Sequence, residues 1–259
     1  MSFKDWWTNE NNPKLPKSEY LYNARHIIVL VITVLLCVAL TLLFYKRSEK
    51  AKRILFYVLG AIFLFFEILS RIVNLCVTNN YSWQHILEIL LPMHICSVMV
   101  WVLIIGVFTR TQFLFNFGAI GGLLATLAFL LYPAVGLNRE YMSFTCIYST
   151  FSHMLGFVTS VILMTLGVAK FEMKKIWQPY VCFAVMFTWG AFIDFVLLPG
   201  TKENYMYIMQ DPLELNLPFP YQILYVAILA VYVFIFYFVS WLVKKIKANR
   251  KKKKSVQEE

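Results

Sequence analysis

Seven long apolar runs follow one another along the chain and are separated by short polar stretches. They cover roughly residues 24–45, 54–76, 85–107, 113–132, 146–169, 177–198 and 220–243. Each has about the length that an α-helix needs to cross a hydrocarbon core of ~30 Å. The runs lack the alternation of apolar and polar residues that marks the strands of a membrane β-barrel. The pattern therefore predicts an all-α, polytopic membrane protein with seven transmembrane helices.

Basic residues are concentrated in alternate loops, and this asymmetry predicts the orientation. Of the 24 lysines and arginines, 17 lie after the first, third, fifth and seventh runs. The opposite loops contain only Arg139 and Lys202, and the amino-terminal segment adds Lys4, Lys14, Lys17 and Arg25. Since basic loops stay in the cytoplasm, the amino terminus is expected outside and the carboxyl terminus inside. The expected organisation is an extracellular segment 1–23, a membrane domain 24–243 and a basic cytoplasmic tail 244–259.

The composition is that of a protein embedded in the cell membrane. Hydrophobic residues make up 60% of the 259 residues and charged residues 15%, which excludes two soluble domains. The net charge of +10 lies in short loops and the tail, so it predicts contact with membrane lipids and no nucleic-acid partner. The five cysteines form no CxxC pair and no zinc spacing, so no metal or cofactor is predicted. The oligomeric state stays open.

The third run is interrupted by polar residues. The segment Glu88–Ser97, with the sequence EILLPMHICS, contains a carboxylate, a proline, His94 and Cys96. Ionisable groups in a membrane segment are costly and tend to face a protein interior or a wet cavity. Pro92 lacks a backbone donor and is expected to kink the helix and help to open such a cavity.

With the predicted orientation, eight polar or ionisable groups lie in the outer half of the membrane. They are Glu67, Arg71, Asn74, Glu88, His94, Cys96, His153 and Asp194. We expect Cys96, His94 and His153 to be catalytic, and we expect a second set to contact the substrate, namely Glu67, Arg71, Asn74, Glu88, Ser149 and Asp194. The alternative is structural: Glu67 and Arg71 form an ion pair, and the histidines make interhelical hydrogen bonds.

Helical spacing groups these residues on faces. Glu67, Arg71 and Asn74 recur at i, i+4 and i+7 and share one face. On the fifth run a single stripe holds Cys146, Ser149, His153, Gly156 and Ser160. Gly156 beside His153 is expected to leave room for a ligand, whereas the small residues Gly118, Gly121 and Gly122 of the fourth run predict close helix packing.

The relation between His94 and Cys96 leaves alternatives open. Two residues on an ideal helix are about 200° apart, so both side chains would not face one cavity. One alternative pairs Cys96 with His153 from the fifth run. In the other, His94 and His153 form the site and Cys96 only packs.

Three segments, in this order, resemble the YwaF-like family of bacterial integral membrane proteins. They are LPMHICS at 91–97, FNFGAIGGLLATLAFLLYP at 115–133 and FSHMLGF at 151–157. The family is similar to a eukaryotic multispanning family implicated in phospholipid acyl transfer through a membrane cysteine. The resemblance implies that Cys96 is the matching thiol and that His94 or His153 is the base.

Three functions are consistent with this pattern. The first is a lipid acyltransferase or lipid hydrolase that uses cysteine and histidine. The second is a small-solute transporter or substrate-capture subunit, against which the few polar groups in the inner half count. The third is a non-catalytic membrane partner, in which the polar groups hold the helices together.

Overall fold

The computed structural model is mainly helical, and it describes residues 6–7, 12–133, 136–200, 204–209 and 217–257. The main helices are α1 Ala24–Phe44, α2 Glu49–Val77, α3 Trp83–Leu90, α4 Ile95–Thr109, α5 Gln112–Leu131, α6 Phe144–Thr165, α7 Trp177–Phe192 and α8 Tyr221–Gln257. No strand occurs within these ranges, so the predicted all-α class is confirmed. The expectations for Lys4 and Lys202 lie outside the described residues, as do parts of the segment 1–23 and the end of the tail.

Six helical segments are long and apolar enough to cross a membrane. The helices α3 and α4 meet that criterion only together, and they are bent by 50° at the break between them. The described part of the chain thus has six candidate spans, or seven when the bent pair counts as one. The predicted seven runs are recovered, and the third is the one that is not a single helix.

The break follows from Pro92. Leu91, which precedes the proline, has extended backbone angles (φ −91°, ψ 145°), the conformation that a following proline ring imposes. The next helix restarts only at Ile95, after His94, which is also extended (φ −93°, ψ 154°). The apolar run is therefore interrupted by a non-helical stretch from Leu91 to His94.

The chain divides into two compact units, Met1–Ala169 and Lys170–Glu259. In the first unit, α6 packs against α1, α2, α4 and α5. Its closest approach is to α5, where the Ser160 hydroxyl donates to the Gly118 carbonyl at 3.1 Å. A side chain at Gly122 would overlap the Ser160 hydroxyl, so the small residues of α5 are required for this contact, as the sequence predicted.

The start of α1 is attached to the end of α5 by a fully buried histidine. The Tyr22 amide donates to His26 Nδ1 at 2.9 Å, and His26 Nε2 lies 2.7 Å from the Leu130 carbonyl oxygen. Since Nδ1 accepts a hydrogen bond, Nε2 carries the proton and donates it to Leu130. This contact fixes where the first helix meets the rest of its unit.

A short amino-terminal strap, residues 12–15, lies antiparallel to the loop 138–141. The Asn12 side chain donates to the Tyr141 carbonyl at 2.8 Å and accepts from the Tyr141 amide at 3.0 Å. The Leu15 amide donates to the Asn138 carbonyl at 2.9 Å. The strap therefore covers the loop that leads into α6.

The second unit consists mainly of α7 and α8. The Tyr180 hydroxyl of α7 donates to the Ala230 carbonyl of α8 at 2.9 Å. After Phe192, α7 continues into a π-helical turn, Ile193–Leu197. The 37 residues of α8 extend to about 55 Å at 1.5 Å per residue, which is longer than a hydrocarbon core of ~30 Å.

Candidate functional site

The centre of the site is an ion pair on α2. Glu67 is only 2% exposed, and its carboxylate accepts a hydrogen bond from Arg71 Nη1. The same Arg71 nitrogen donates to the Glu67 backbone carbonyl at 3.0 Å. The predicted i, i+4 spacing thus brings the two charges into direct contact, and the pair is mostly buried in the helix bundle.

A second helix supplies a partner that the sequence analysis did not single out. The Tyr148 hydroxyl of α6 donates to the other oxygen of the Glu67 carboxylate. Tyr148 also interacts with the Ser152 side chain, one turn further along α6. The sequence signal for this contact is the pair of polar residues at i and i+4 on α6, on a different face from the stripe through His153.

Arg71 connects this pair to the break before α4. Its Nε donates to the Leu90 carbonyl at 3.1 Å, at the last residue of α3. Its guanidinium carbon lies 5.3 Å from the centre of the Trp101 ring of α4, a cation–π geometry. Trp101 Nε1 is buried and has no hydrogen-bond partner among the described residues.

Cys96 is the second residue of α4 and borders the same cluster. Its sulfur interacts with the backbone N–H groups of Cys96 and Ser97 and with the charge of Glu67. The first N–H groups of a helix have no intrahelical acceptor, so they are available to an anion at this position. The cysteine is half-buried, and its sulfur forms no disulfide.

His94 directly precedes the helix that carries Cys96. It is the exposed N-cap residue of α4, and its backbone is extended rather than helical. The estimate of about 200° between the two side chains assumed a continuous helix through both residues, and the helix here begins only at Ile95. The break places both residues at one helix start.

His153 makes its contacts towards α5. Its Nδ1 donates to the Ser149 carbonyl at 2.6 Å, which leaves Nε2 as the acceptor nitrogen of the neutral ring. Its ring stacks on Phe129 with centroids 3.8 Å apart and planes inclined by 13°. Within the part of the chain that the structure describes, no hydrogen bond joins His153 to His94 or Cys96.

The stripe on α6 is a packing surface against α5. A side chain at Gly156 would meet the Thr126 methyl group of α5 at 2.7 Å. The expectation that Gly156 leaves room for a ligand is therefore wrong, because Thr126 fills that space. Ser160 and His153 contact the same helix, so this face of α6 is occupied by α5 along its length.

The other predicted substrate contacts are dispersed. The Asn74 amide lies 3.4 Å from the Ser70 hydroxyl on its own helix. Glu88 pairs with His85 at 3.2 Å on the exposed side of α3. Asp194 belongs to the second unit, in the π-helical turn after α7. The residues that the structure brings together are thus Glu67, Arg71 and Cys96, with Tyr148 and Trp101 added.

Chemically, this cluster combines a thiol with hydrogen-bond donors and a fixed charge pair. Arg71 and Trp101 supply N–H donors, and Tyr148 holds the Glu67 carboxylate from the opposite side. The arrangement suits a thiol reacting with a substrate whose oxygen atoms need donors in an apolar environment.

One comparison with known proteins identifies relatives. A model of the TMEM164 family, which is a multispanning membrane protein family, matches residues 21–240. The matched range includes all of the first unit from the start of α1 and most of the second. No curated protein and no solved structure matches the chain.

Proposed function

The chain belongs to the TMEM164 family, and for this member we propose a lipid acyltransferase or lipid hydrolase with Cys96 as its nucleophile. The observation that carries the proposal is the position of Cys96. Its sulfur lies in the first turn of α4, close enough to the buried Glu67 of the ion pair for the two groups to interact electrostatically. The resemblance of segments 91–97, 115–133 and 151–157 to YwaF-like proteins supports the same chemistry.

The proposed reaction has two steps. The Cys96 thiolate attacks the carbonyl carbon of a lipid ester, a C–S bond forms, and the ester C–O bond breaks. A histidine, which has taken the proton of the thiol, then gives this proton to the leaving alcohol. In the second step an acceptor hydroxyl or water attacks the thioester, gives its proton to the same histidine, and releases the acyl group and the thiolate.

We assign the histidine role to His94. It stands at the same helix start as Cys96, two residues before it, and its backbone is not constrained by helical geometry. His153 is the competing candidate, but its ring is stacked on Phe129 and its Nδ1 is engaged by Ser149. Replacing each histidine separately distinguishes the two.

Arg71 and Trp101 are proposed to contact the substrate oxygens. Arg71 already neutralises Glu67, and Tyr148 shares the same carboxylate. Because Tyr148 donates to one carboxylate oxygen, Arg71 does not have to satisfy both oxygens and can also donate to a substrate oxygen. The Trp101 indole N–H has no acceptor among the described residues, and a buried donor of this kind is satisfied by a bound acceptor.

The proposed site lies in the outer half of the cell membrane. This follows from the basic loops, which are expected in the cytoplasm together with the carboxyl terminus. Ester linkages lie below the headgroups of a phospholipid, a depth that a site within the membrane span can reach. The substrate is then an outer-leaflet lipid that enters sideways between helices.

The test is to trap the acyl-enzyme. The full-length protein in nanodiscs is incubated with phosphatidylcholine that bears an alkyne-tagged acyl chain, and the protein is then examined for covalent label. Label that hydroxylamine removes, that is lost in Cys96→Ala and that persists in the half-buried control Cys182→Ala supports the proposal. Reduced labelling in His94→Ala but not in His153→Ala assigns the base.

One result would contradict the proposal. If Cys96→Ala retains both the label and the turnover of the tagged lipid at equal protein levels, thiol catalysis at this position is excluded.

A further inference from the structure

The second unit contains a buried carboxylate that the proposed reaction does not use. Asp194 lies in the π-helical turn Ile193–Leu197 and is 5% exposed. Both of its carboxylate oxygens are buried, and neither has a hydrogen-bond partner among the described residues. Single π-helical turns are rare and occur frequently at functional sites.

A short loop folds over the same end of α7. Tyr205 and Met206 are almost fully buried, and Met206 and Tyr207 adopt left-handed backbone angles (φ 55° and 57°). Gly190, one turn before Asp194, leaves space for this loop, since a side chain there would meet Met206 at 2.6 Å. The tight packing removes water from the carboxylate.

One backbone donor, the Tyr205 N–H, interacts with Asp194 but does not form a hydrogen bond of normal geometry. A single amide dipole is not enough to balance a buried negative charge, which is costly unless it is paired. The position adds to the cost, because Asp194 lies near the carboxyl end of a helix, where the helix dipole is negative. A positive charge is required here for Asp194 to be ionised.

The helix end also supplies further oxygen ligands. The last carbonyl groups of a helix have no intrahelical donor. In membrane proteins, unwound backbone carbonyls and helix carboxyl ends hold sodium ions in this way. The two unsatisfied oxygens of Asp194 offer oxygen ligands and one negative charge, which match a cation of single charge.

We propose that Asp194, with carbonyl oxygens at the end of the π-helical turn Ile193–Leu197, binds a small monovalent cation. This site is independent of the proposed thiol chemistry, and its occupancy stabilises the fold of the end of α7 and the loop Tyr205–Tyr207. Both candidate ligands, an alkali ion and a primary ammonium group, carry one compact positive charge.

The test is thermal unfolding of the full-length protein in detergent at constant ionic strength. Sodium, potassium or ethanolammonium chloride replaces N-methyl-glucamine chloride in steps. Above the dissociation constant, each tenfold increase in a bound cation should raise the unfolding midpoint by roughly 3–5 °C. The cation that gives the largest shift identifies the ligand, and ²³Na line broadening provides a direct signal for sodium.

Two variants complete the experiment. Asp194→Asn should lose the cation response and, in N-methyl-glucamine, should be at least as stable as the parent protein, because no charge is left unpaired. Glu172→Gln makes the same change at an exposed position in the same unit and should keep the response.

Three results would overturn the proposal. They are a midpoint insensitive to all three cations, a response that persists in Asp194→Asn, and a midpoint that follows pH but no cation.

Discussion

The Tyr148 hydroxyl and the Glu67 carboxylate form a hydrogen bond that joins α6 to α2. Because Arg71 binds the other carboxylate oxygen, Glu67 is held between a phenol on one helix and a guanidinium on its own helix. A buried carboxylate with two such partners has a fixed position. The site next to Cys96 therefore has a rigid negative centre whose charge is already balanced.

Replacing Tyr148 by phenylalanine should destabilise the protein by about 1–3 kcal/mol, since one buried carboxylate oxygen then loses its donor. The ring itself is retained, so packing changes little. The measurement is the thermal unfolding midpoint in detergent. Tyr81→Phe, at a side chain that is 73% exposed, is the matched control and should leave the midpoint unchanged. Equal midpoints for both variants would contradict a structural role for the phenol.

The Arg71 side chain should be required for stability only while Glu67 is charged. Arg71→Met leaves the buried carboxylate without its cation, which costs about 3–5 kcal/mol. Adding Glu67→Gln to this variant removes the orphan charge and should recover a large part of the loss. Lys175→Met breaks the exposed pair with Glu172 and should cost less than about 1 kcal/mol.

A double-mutant cycle over Glu67 and Arg71 measures the coupling energy between the two side chains. A coupling energy near zero would mean that the two side chains do not depend on each other, in conflict with their contact. The cycle also separates stability from activity, because lipid turnover can be measured on the double variant at equal folded protein.

The sequence predicts this ion pair because its geometry is local. Glu67 and Arg71 are four residues apart on one helix, so their contact needs no knowledge of the tertiary structure. The same holds for the apolar runs and for the glycines of α5, whose small size by itself indicates close packing. These predictions depend only on helical period and residue volume.

The contact of Tyr148 and the orientation of His94 could not be predicted from helical period and residue volume. Which face of α6 meets α2 is decided by how the helices pack, and a tyrosine in an apolar run is equally typical of a membrane interface. For His94, the decisive fact is that the helix restarts at Ile95. Pro92 predicts a disturbance of the helix but not its length, and the angular relation to Cys96 depends on that length.

His26 should be one of the more sensitive positions in the first unit, although nothing in the sequence at the start of this apolar run singles it out. Both ring nitrogens are engaged, by the Tyr22 amide and the Leu130 carbonyl. His26→Ala should lower stability by about 1–3 kcal/mol, since two buried backbone groups lose partners. His85→Ala, at a half-exposed position on α3, should have a smaller effect.

The protonation of His26 is a second observable for the same contact. Nitrogen chemical shifts of the labelled histidines should show a neutral ring with the proton on Nε2, because Nδ1 accepts from Tyr22. A proton on Nδ1 would show that the Tyr22 amide is not its donor and would remove the link between α1 and α5.

The contact between α5 and α6 can be tested by adding and removing single atoms. Gly122→Ala places a methyl group against the Ser160 hydroxyl, and such overpacking typically costs about 1–3 kcal/mol. Ser160→Ala loses its hydrogen bond to the Gly118 carbonyl, which costs about 1 kcal/mol.

The double variant removes the oxygen that the new methyl group would meet, so its loss of stability should be smaller than the sum of the two. Strict additivity in thermal or denaturant unfolding would show that the helices separate at this point. His153 stacks on Phe129 of α5, three residues along each helix from the Gly156–Thr126 contact. The Gly122→Ala variant should therefore also broaden or shift the NMR signals of the labelled His153 ring.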